Sequence, residues 1–344
     1  MALAKGSLRP ANSRRLRRPL GLAAGEELAE GLRRMAIEQT DLALAQLAEA
    51  EGGDARKAVH ETRKAIKRAR TIVRLLAGEL GREVCAREQA TLRAATSHLA
   101  GARDAEVMLE TLDALVARRP RRLGRSPGVA RLRRHLAAER EQAERRMLAP
   151  GNRMRVADEL RLFRVRALAW ELAPGPGVGP IEDGLHRIYR QGRRRRRRAS
   201  RKGGNRMRTM HQWRKRVKDL RYSAEALRRA EPQPGPLRKL SAKRSKRISS
   251  EARWMGRLAA RADDVSELLG EEHDLAVFGA WLCEHGKEAG AGRATRRRLR
   301  KEIVRRRRKL RRRALRESRR LYARGPRAFM RRSARAYDAA APRS

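Results

Sequence analysis

Apolar positions recur every three to four residues along almost the whole chain after residue 25, the spacing of one buried face on an α-helix. Leu32, Met35, Leu42 and Leu47 open the series behind Gly25-Glu26-Glu27. Gly52-Gly53-Asp54 interrupts it and offers Asp54 as the N-cap of the next helix. Gly78 and Gly81 bracket a turn, a long helical stretch then runs to Arg119, and Pro120 to Gly128 reads as a loop. Further helices are expected at about 129–148 and 153–172. Pro174-Gly-Pro-Gly-Val-Gly-Pro180 is the clearest linker. Past it, a helix begins near Ile181, Gly203-Gly204 precedes another, and a turn spans Pro232 to Pro236. Helices are then expected over about 237–269, 271–284 and 293–322, with a last one at 327–340 behind Pro326. No stretch alternates with period two, so no sheet is expected and the fold class is all-α.

One helical pattern is written twice. HETRKAIKRAR runs from His60 to Arg70 and HQWRKRVKDLR from His211 to Arg221. Six positions keep their character without a gap: His60/His211, Arg63/Arg214, Lys64/Lys215, Ile66/Val217, Lys67/Lys218 and Arg70/Arg221. On a wheel of roughly 100° per residue, His60, Arg63, Lys64, Lys67, Arg70 and Arg74 fill one sector about 120° wide. Ile66, Ala69, Val73 and Leu76 fill a separate one. In the second copy Val217, Leu220, Ala224 and Leu227 form the apolar stripe, and His211, Arg214, Lys215, Lys218, Arg221 and Tyr222 the basic sector. Like charges at i,i+4 destabilise a helix by a few tenths of a kcal/mol per pair. Their retention in both copies points to an anion that relieves the repulsion. Two further elements repeat in the same order. Gly31-Leu32-Arg33-Arg34-Met35 matches Gly184-Leu185-His186-Arg187-Ile188, and Leu99 to Val107 matches Leu269 to Val277. Internal duplication follows.

Composition agrees with an anionic partner. The 344 residues hold 88 Lys+Arg against 39 Asp+Glu, a formal charge of +49, which a polyanion would offset. Thirteen of these cations are lysine and 75 arginine, whose planar fork fits phosphate bidentately. Cys85 and Cys283 suggest no disulfide framework and read as small core residues. Trp170, Trp213, Trp254 and Trp281 read as core anchors. No apolar run of 18 residues exists, so no membrane span is expected, and no signal-peptide apolar region opens the chain. A cytoplasmic bacterial protein is the simplest expectation.

Other chemistry is poorly represented. His60-Glu61-Thr62-Arg63-Lys64 misses the HExxH zinc pattern because an ammonium stands where the second histidine must be. There is no P-loop motif and no carboxylate spacing suited to Mg²⁺ and phosphoryl transfer, so no cofactor, no metal and no catalysis are expected. Asp104 and Asp274 are expected to orient arginines or cap helices. Arg305–Arg308 and Arg311–Arg313 stand as either a secondary phosphate surface or a solvated face.

His-x-x-Arg-Lys-x-x-Lys-x-x-Arg at both sites resembles the CHAD family, the conserved histidine α-helical domain. So do Arg103-Asp104-x-x-Val107 and His273-Asp274-x-x-Val277, the upstream Gly-Leu-x-Arg elements, and the ending Leu321 to Phe329. The resemblance covers roughly residues 20–340. It implies two pseudo-symmetric antiparallel four-helix bundles flanking a basic groove or channel that binds inorganic polyphosphate. Residues 1–20 would be a disordered basic tail, 21–173 the first half, 174–180 the linker and 181–340 the second half. His60, Arg63, Lys64, Lys67 and Arg70 would line one wall, and His211, Arg214, Lys215, Lys218 and Arg221 the other. Arg34, Arg74, Arg103, Arg187, Arg190 and Tyr222 complete the candidate ligand set. Association with polyphosphate granules is the expected consequence. The run Arg193–Arg198 departs from the family pattern, and six consecutive arginines wrap the whole helix circumference. The competing reading is a nucleoid-type protein binding RNA or DNA non-specifically. Single-strand binders add aromatic platforms, and only 11 aromatic residues occur here.

Overall fold

The computed structural model describes residues 20–50 except 24, 54–201 except 174 and 176, 206–228 and 253–339. Among these the fold is all-α, without a strand. The helices are α1 (Leu28–Glu49), α2 (Ala55–Leu75), α3 (Gly81–His98), α4 (Ala100–Arg118), α5 (Pro127–Leu148), α6 (Pro150–Leu168), α7 (Glu182–Ser200), α8 (Arg206–Ala226), α9 (Trp254–Glu284), α10 (Arg293–Leu321) and α11 (Pro326–Ala339). The tail at 1–19, the break at Gly52-Gly53, Gly203-Gly204, the turn at 232–236 and the start of the helix expected from 237 lie outside the described residues.

α2 forms where expected: the Asp54 carboxylate accepts from the backbone N–H of Arg56 at 3.1 Å and of Lys57 at 3.2 Å. Its apolar stripe, Ile66, Ala69, Val73 and Leu76, is buried, as is the matching stripe Val217, Leu220, Ala224 and Leu227 of α8. Burying each larger side chain contributes about 1.5–3 kcal/mol. α1, α2, α3 and α6 pack in a closed ring. Glu88 of α3, fully buried, takes both Nε (2.8 Å) and Nη2 (2.9 Å) of Arg166 on α6 and fastens that ring. α7, α8, α9 and α11 make the corresponding layer of the second half. The α4–α5 hairpin leaves the first ring and packs on α9 and α10 instead, where Leu112, Leu132 and Leu136 meet Phe278, Leu282 and Leu299 in a separate core.

The two halves differ at the third repeated element. The long helix expected through Leu99 is broken there into α3 and α4, whereas the break expected after Leu269 is absent and α9 runs unbroken for 31 residues. Arg63 accounts for the first: its Nη1 donates to the carbonyls of Leu99 at 2.8 Å and Thr96 at 3.4 Å, which the end of α3 leaves exposed. At the matching place Gly270 stays helical, and the guanidinium of Arg214 lies over it. Gly184 is also fixed by packing: a Cβ there would run into the backbone carbonyls of Arg74 and Leu75, so only glycine lets α7 cross the end of α2. Trp213 and Trp170 are buried anchors, while Trp254 and Trp281 are only partly covered. Neither cysteine belongs to the fully buried core: Cys85 is half-buried at the start of α3 and Cys283 is exposed near the end of α9.

Candidate functional site

The two repeated helices pack directly against each other. Lys67 of α2 and Lys218 of α8 are neighbours, and burial, then Arg214 and Lys67, push the Lys218 amine down to about 7. The copies are offset by 151 residues, from His60 to His211. Under that offset Lys67 and Lys218 exchange with each other, so they lie on the local two-fold axis of the crossing. The same exchange relates two ion pairs. Arg74 Nη1 meets Asp219 Oδ1 at 3.1 Å, and Arg68 Nη2 meets Glu225 Oε2 at 3.5 Å. Position 74 maps to 225 and 219 to 68, so the pair repeats with its charges swapped between the copies.

The two ends of the crossing differ in charge balance. At one end stand Arg70 and Arg74 of α2 with Lys215 and Arg216 of α8. Asp219, nearly buried, is the carboxylate that acts on them among the described residues, accepting from Arg74 and, at 2.9 Å, pairing with Arg216. Burial and then the neighbouring Arg74 lower Arg70 to about 10. Lys215 is lowered by burial and by Arg70, Arg216 and Arg74. Among the described residues the Arg70 guanidinium donates only to neutral Gln89, at 3.3 Å. At the other end Lys64 pairs with Glu61 at 3.1 Å, Arg68 with Glu225, and Arg221 with both Glu225, at 2.7 Å, and Asp263. Burial opposes the charge on Arg221, but the Glu225 hydrogen bond and Asp263 raise its pKa. Tyr222 is buried here between Arg68 and Arg221, whose guanidinium carbons lie 5.9 and 5.6 Å from its ring centre.

The histidines are not equivalent. His60 is exposed on α2. His211 is half-buried, its ring centre 4.3 Å from that of His273 on α9, and its Nδ1 is buried without a hydrogen-bond partner among the described residues. Burial, then Lys215 and Arg214, lower His211 to about 4. Burial, then Arg214 and His211, lower His273 to about 3. Both rings are neutral at pH 7 and can donate one hydrogen bond each.

The remaining sequence candidates scatter. Arg34 is taken by Glu26 at 2.6 Å and Glu38 at 2.7 Å and also donates to the Gly21 carbonyl. Arg187 is exposed on α7 and acts on Cys85, as Arg74 does. Arg190 is exposed on the same helix, and Arg103 lies in the first turn of α4. Asp104 follows just past that first turn, and Asp274 is mid-helix, beside Lys218 rather than at a cap. Sequence reasoning missed Arg216 and Asp219 because neither lies in the repeated sector. His273 was visible as a repeated position but matches an arginine in the first half. Among the described residues no group of three or more His, Cys, Asp or Glu is placed to hold a metal. No helix among them is long and apolar enough to cross a membrane.

The all-helical fold thus brings the two repeated basic helices, α2 and α8, face to face. The CHAD domain model matches residues 35–282, and the chain belongs to the CHAD family, whose domain is in general a non-catalytic, binding-type one. Among solved structures it is similar to the CHAD domain from the plant Ricinus communis, with 16% identity, 92% of this chain and 94% of that one covered, and a TM-score of 0.54. It is also similar to PptA from Streptomyces chartreusis, with 16% identity, 87% and 100% coverage and a TM-score of 0.57. At that identity the likeness is one of fold. No curated protein matches the chain.

Proposed function

We propose that this protein binds inorganic polyphosphate, without turning it over, at the crossing of α2 and α8. The supporting observation is the end where, among the described residues, Arg70, Arg74, Lys215 and Arg216 share one carboxylate, that of Asp219. Four cations held beside one anion in a partly buried site repel one another, and a ligand with repeated charge and no bases relieves that repulsion along its length. Neutral His211 on α8 and His273, which packs on it from α9, add donors beside this crossing. The association of the CHAD family with polyphosphate supports the reading. Residence in the cytoplasm at polyphosphate granules would follow from such binding.

The second reading, a nucleic-acid backbone, is kept by one observation: α10 presents exposed Arg297, Lys301, Arg308 and Arg312 at helical spacing along one face. Titration of polyphosphate, RNA and duplex DNA at matched charge and salt separates the two. Polyphosphate is expected to bind tightest and to persist in excess RNA. Equal competition per phosphate contradicts the proposal and favours the second reading.

A further inference from the structure

Arg193–Arg198 is the feature of the chain that the motif helices leave unexplained. In the structure this run divides by face. Arg196 turns inward, its Nε donating to Ser318 Oγ at 2.9 Å and its Nη2 to the Leu315 carbonyl at 3.2 Å, and fixes α7 to α10. Arg194, Arg195 and Arg198 share the opposite face with Gln191 and Arg187, at spacings of i, i+4, i+7, i+8 and i+11. That face looks toward α8. Gln191 Oε1 accepts from Arg216 Nη1 at 2.9 Å, and further along α7 Arg195 lies close enough to Arg216 and Arg208 for both to oppose its charge. The helices are therefore antiparallel here, and from Arg216 to Arg208 the trough between them extends about 12 Å at 1.5 Å per residue. None of Arg194, Arg195 and Arg198 has an ion pair with an acid among the described residues. The trough begins at Arg216, one of the four cations at the open end of the α2–α8 crossing.

We infer that the trough between α7 and α8, walled by Arg194, Arg195 and Arg198 on one side and Arg208 on the other, is a second subsite that holds the part of a long polyphosphate chain overhanging the motif crossing. The inference rests on the polyphosphate reading above and adds to it a basis for chain-length preference. Phosphoryl oxygens leaving the Arg70–Lys215 end meet Arg216 first and then the α7 arginines, so long chains engage cations that short ones cannot reach. Because the second subsite is filled by the same molecule, the gain is one of effective concentration.

The test is calorimetric titration of the full chain with two polyphosphates, one of a few phosphates and one of many tens. The variants are Arg194→Gln/Arg195→Gln/Arg198→Gln and, separately, Arg208→Gln on the facing wall. Arg308→Gln/Arg312→Gln/Arg313→Gln removes equal charge from the exposed face of α10. The α7 triple variant is expected to lose severalfold affinity for the long chain only, with Arg208→Gln losing less in the same direction. The slope of log affinity against log salt should also become shallower for the long chain. The α10 variant and all short-chain affinities should stay at the wild-type level. An unchanged long-chain advantage in both trough variants overturns the subsite, as does an equal loss in the α10 variant. Failure of the wild type to bind either length contradicts the polyphosphate reading itself and is distinct from both. Far-ultraviolet circular dichroism checks folding, which Arg196 is left in place to protect.

Discussion

The two ends of the α2–α8 crossing are related by a duplication, yet they hold opposite electrostatic situations. Near Arg70 and Lys215, four cations share Asp219. Their counterparts under the repeat are Arg221 and Lys64, which sit among Glu61, Glu225 and Asp263, so three cations, with Arg68, meet three carboxylates. The motif residues themselves are nearly identical in the two copies. The difference is made at positions the repeat does not keep: Glu61, where the second copy has Gln212, Arg216, where the first copy has Ala65, and Asp263 on α9. Duplication thus supplied a symmetric pair of basic faces, and acidic neighbours closed one end. A polyanion is attracted where positive charge is left uncompensated, so the open end, continuous with the α7 trough, is the seat this account assigns.

The comparison can be broken first through its carboxylates. Asp219→Asn removes the one anion between Arg74 and Arg216 in a nearly buried position, and breaking such a pair typically costs about 3–5 kcal/mol. Glu225→Gln, at the closed end, leaves Arg221 its Asp263 and should cost about 1 kcal/mol, the scale of a partly exposed interaction. Thermal or urea unfolding compares them. Added polyphosphate should recover more stability for Asp219→Asn than for Glu225→Gln, since only the former lies at the seat. Equal losses and equal recovery would remove the distinction between the ends.

A smaller effect comes from Lys218, on the axis between the ends. Its amine is lowered from 10.5 to about 7 by burial, Arg214 and Lys67. Between those values the unfolded chain holds a proton that the folded one lacks, so this group makes stability rise as pH increases from about 7 to 10.5. Bound phosphate favours the charged amine, so polyphosphate binding near pH 8 should take up a fraction of a proton and weaken as pH rises. Calorimetry in buffers of differing ionisation heat measures the uptake. Lys218→Arg should abolish it while keeping the charge. Unaltered uptake in that variant would assign the proton to another group.

Much of this was legible in the sequence. The helical period gave the all-α class, and the paired motif gave both basic faces, because charge kept across a repeat is not needed for packing. The Asp54 cap and the apolar stripes were readable for the same local reasons. What escaped depends on how helices cross. Local glycine and leucine patterns give no hint that Arg63 would hold the carbonyls at a break near Leu99 while Arg214 lies over a continuous helix at Gly270. Asp219 could not be recognised as a partner of Arg74, 145 residues earlier, until the two helices met. Cys283 faces solvent rather than the core because a small residue near the end of an amphipathic helix can face either way.

The most direct test of the central claim compares two double variants that are exchanged by the local symmetry. Arg70→Gln/Lys215→Gln acts on the end with excess charge, and Lys64→Gln/Arg221→Gln on the end with matched acids. Each removes two cations from equivalent motif positions, and a hydrogen bond from a charged donor to phosphate is worth about 1.5–3 kcal/mol. Polyphosphate affinity, titrated at one salt concentration, should fall about a hundredfold or more for the first and less than about threefold for the second. Equal losses, or a larger loss for Lys64→Gln/Arg221→Gln, would contradict the placement of the anion at the Arg70–Lys215 end.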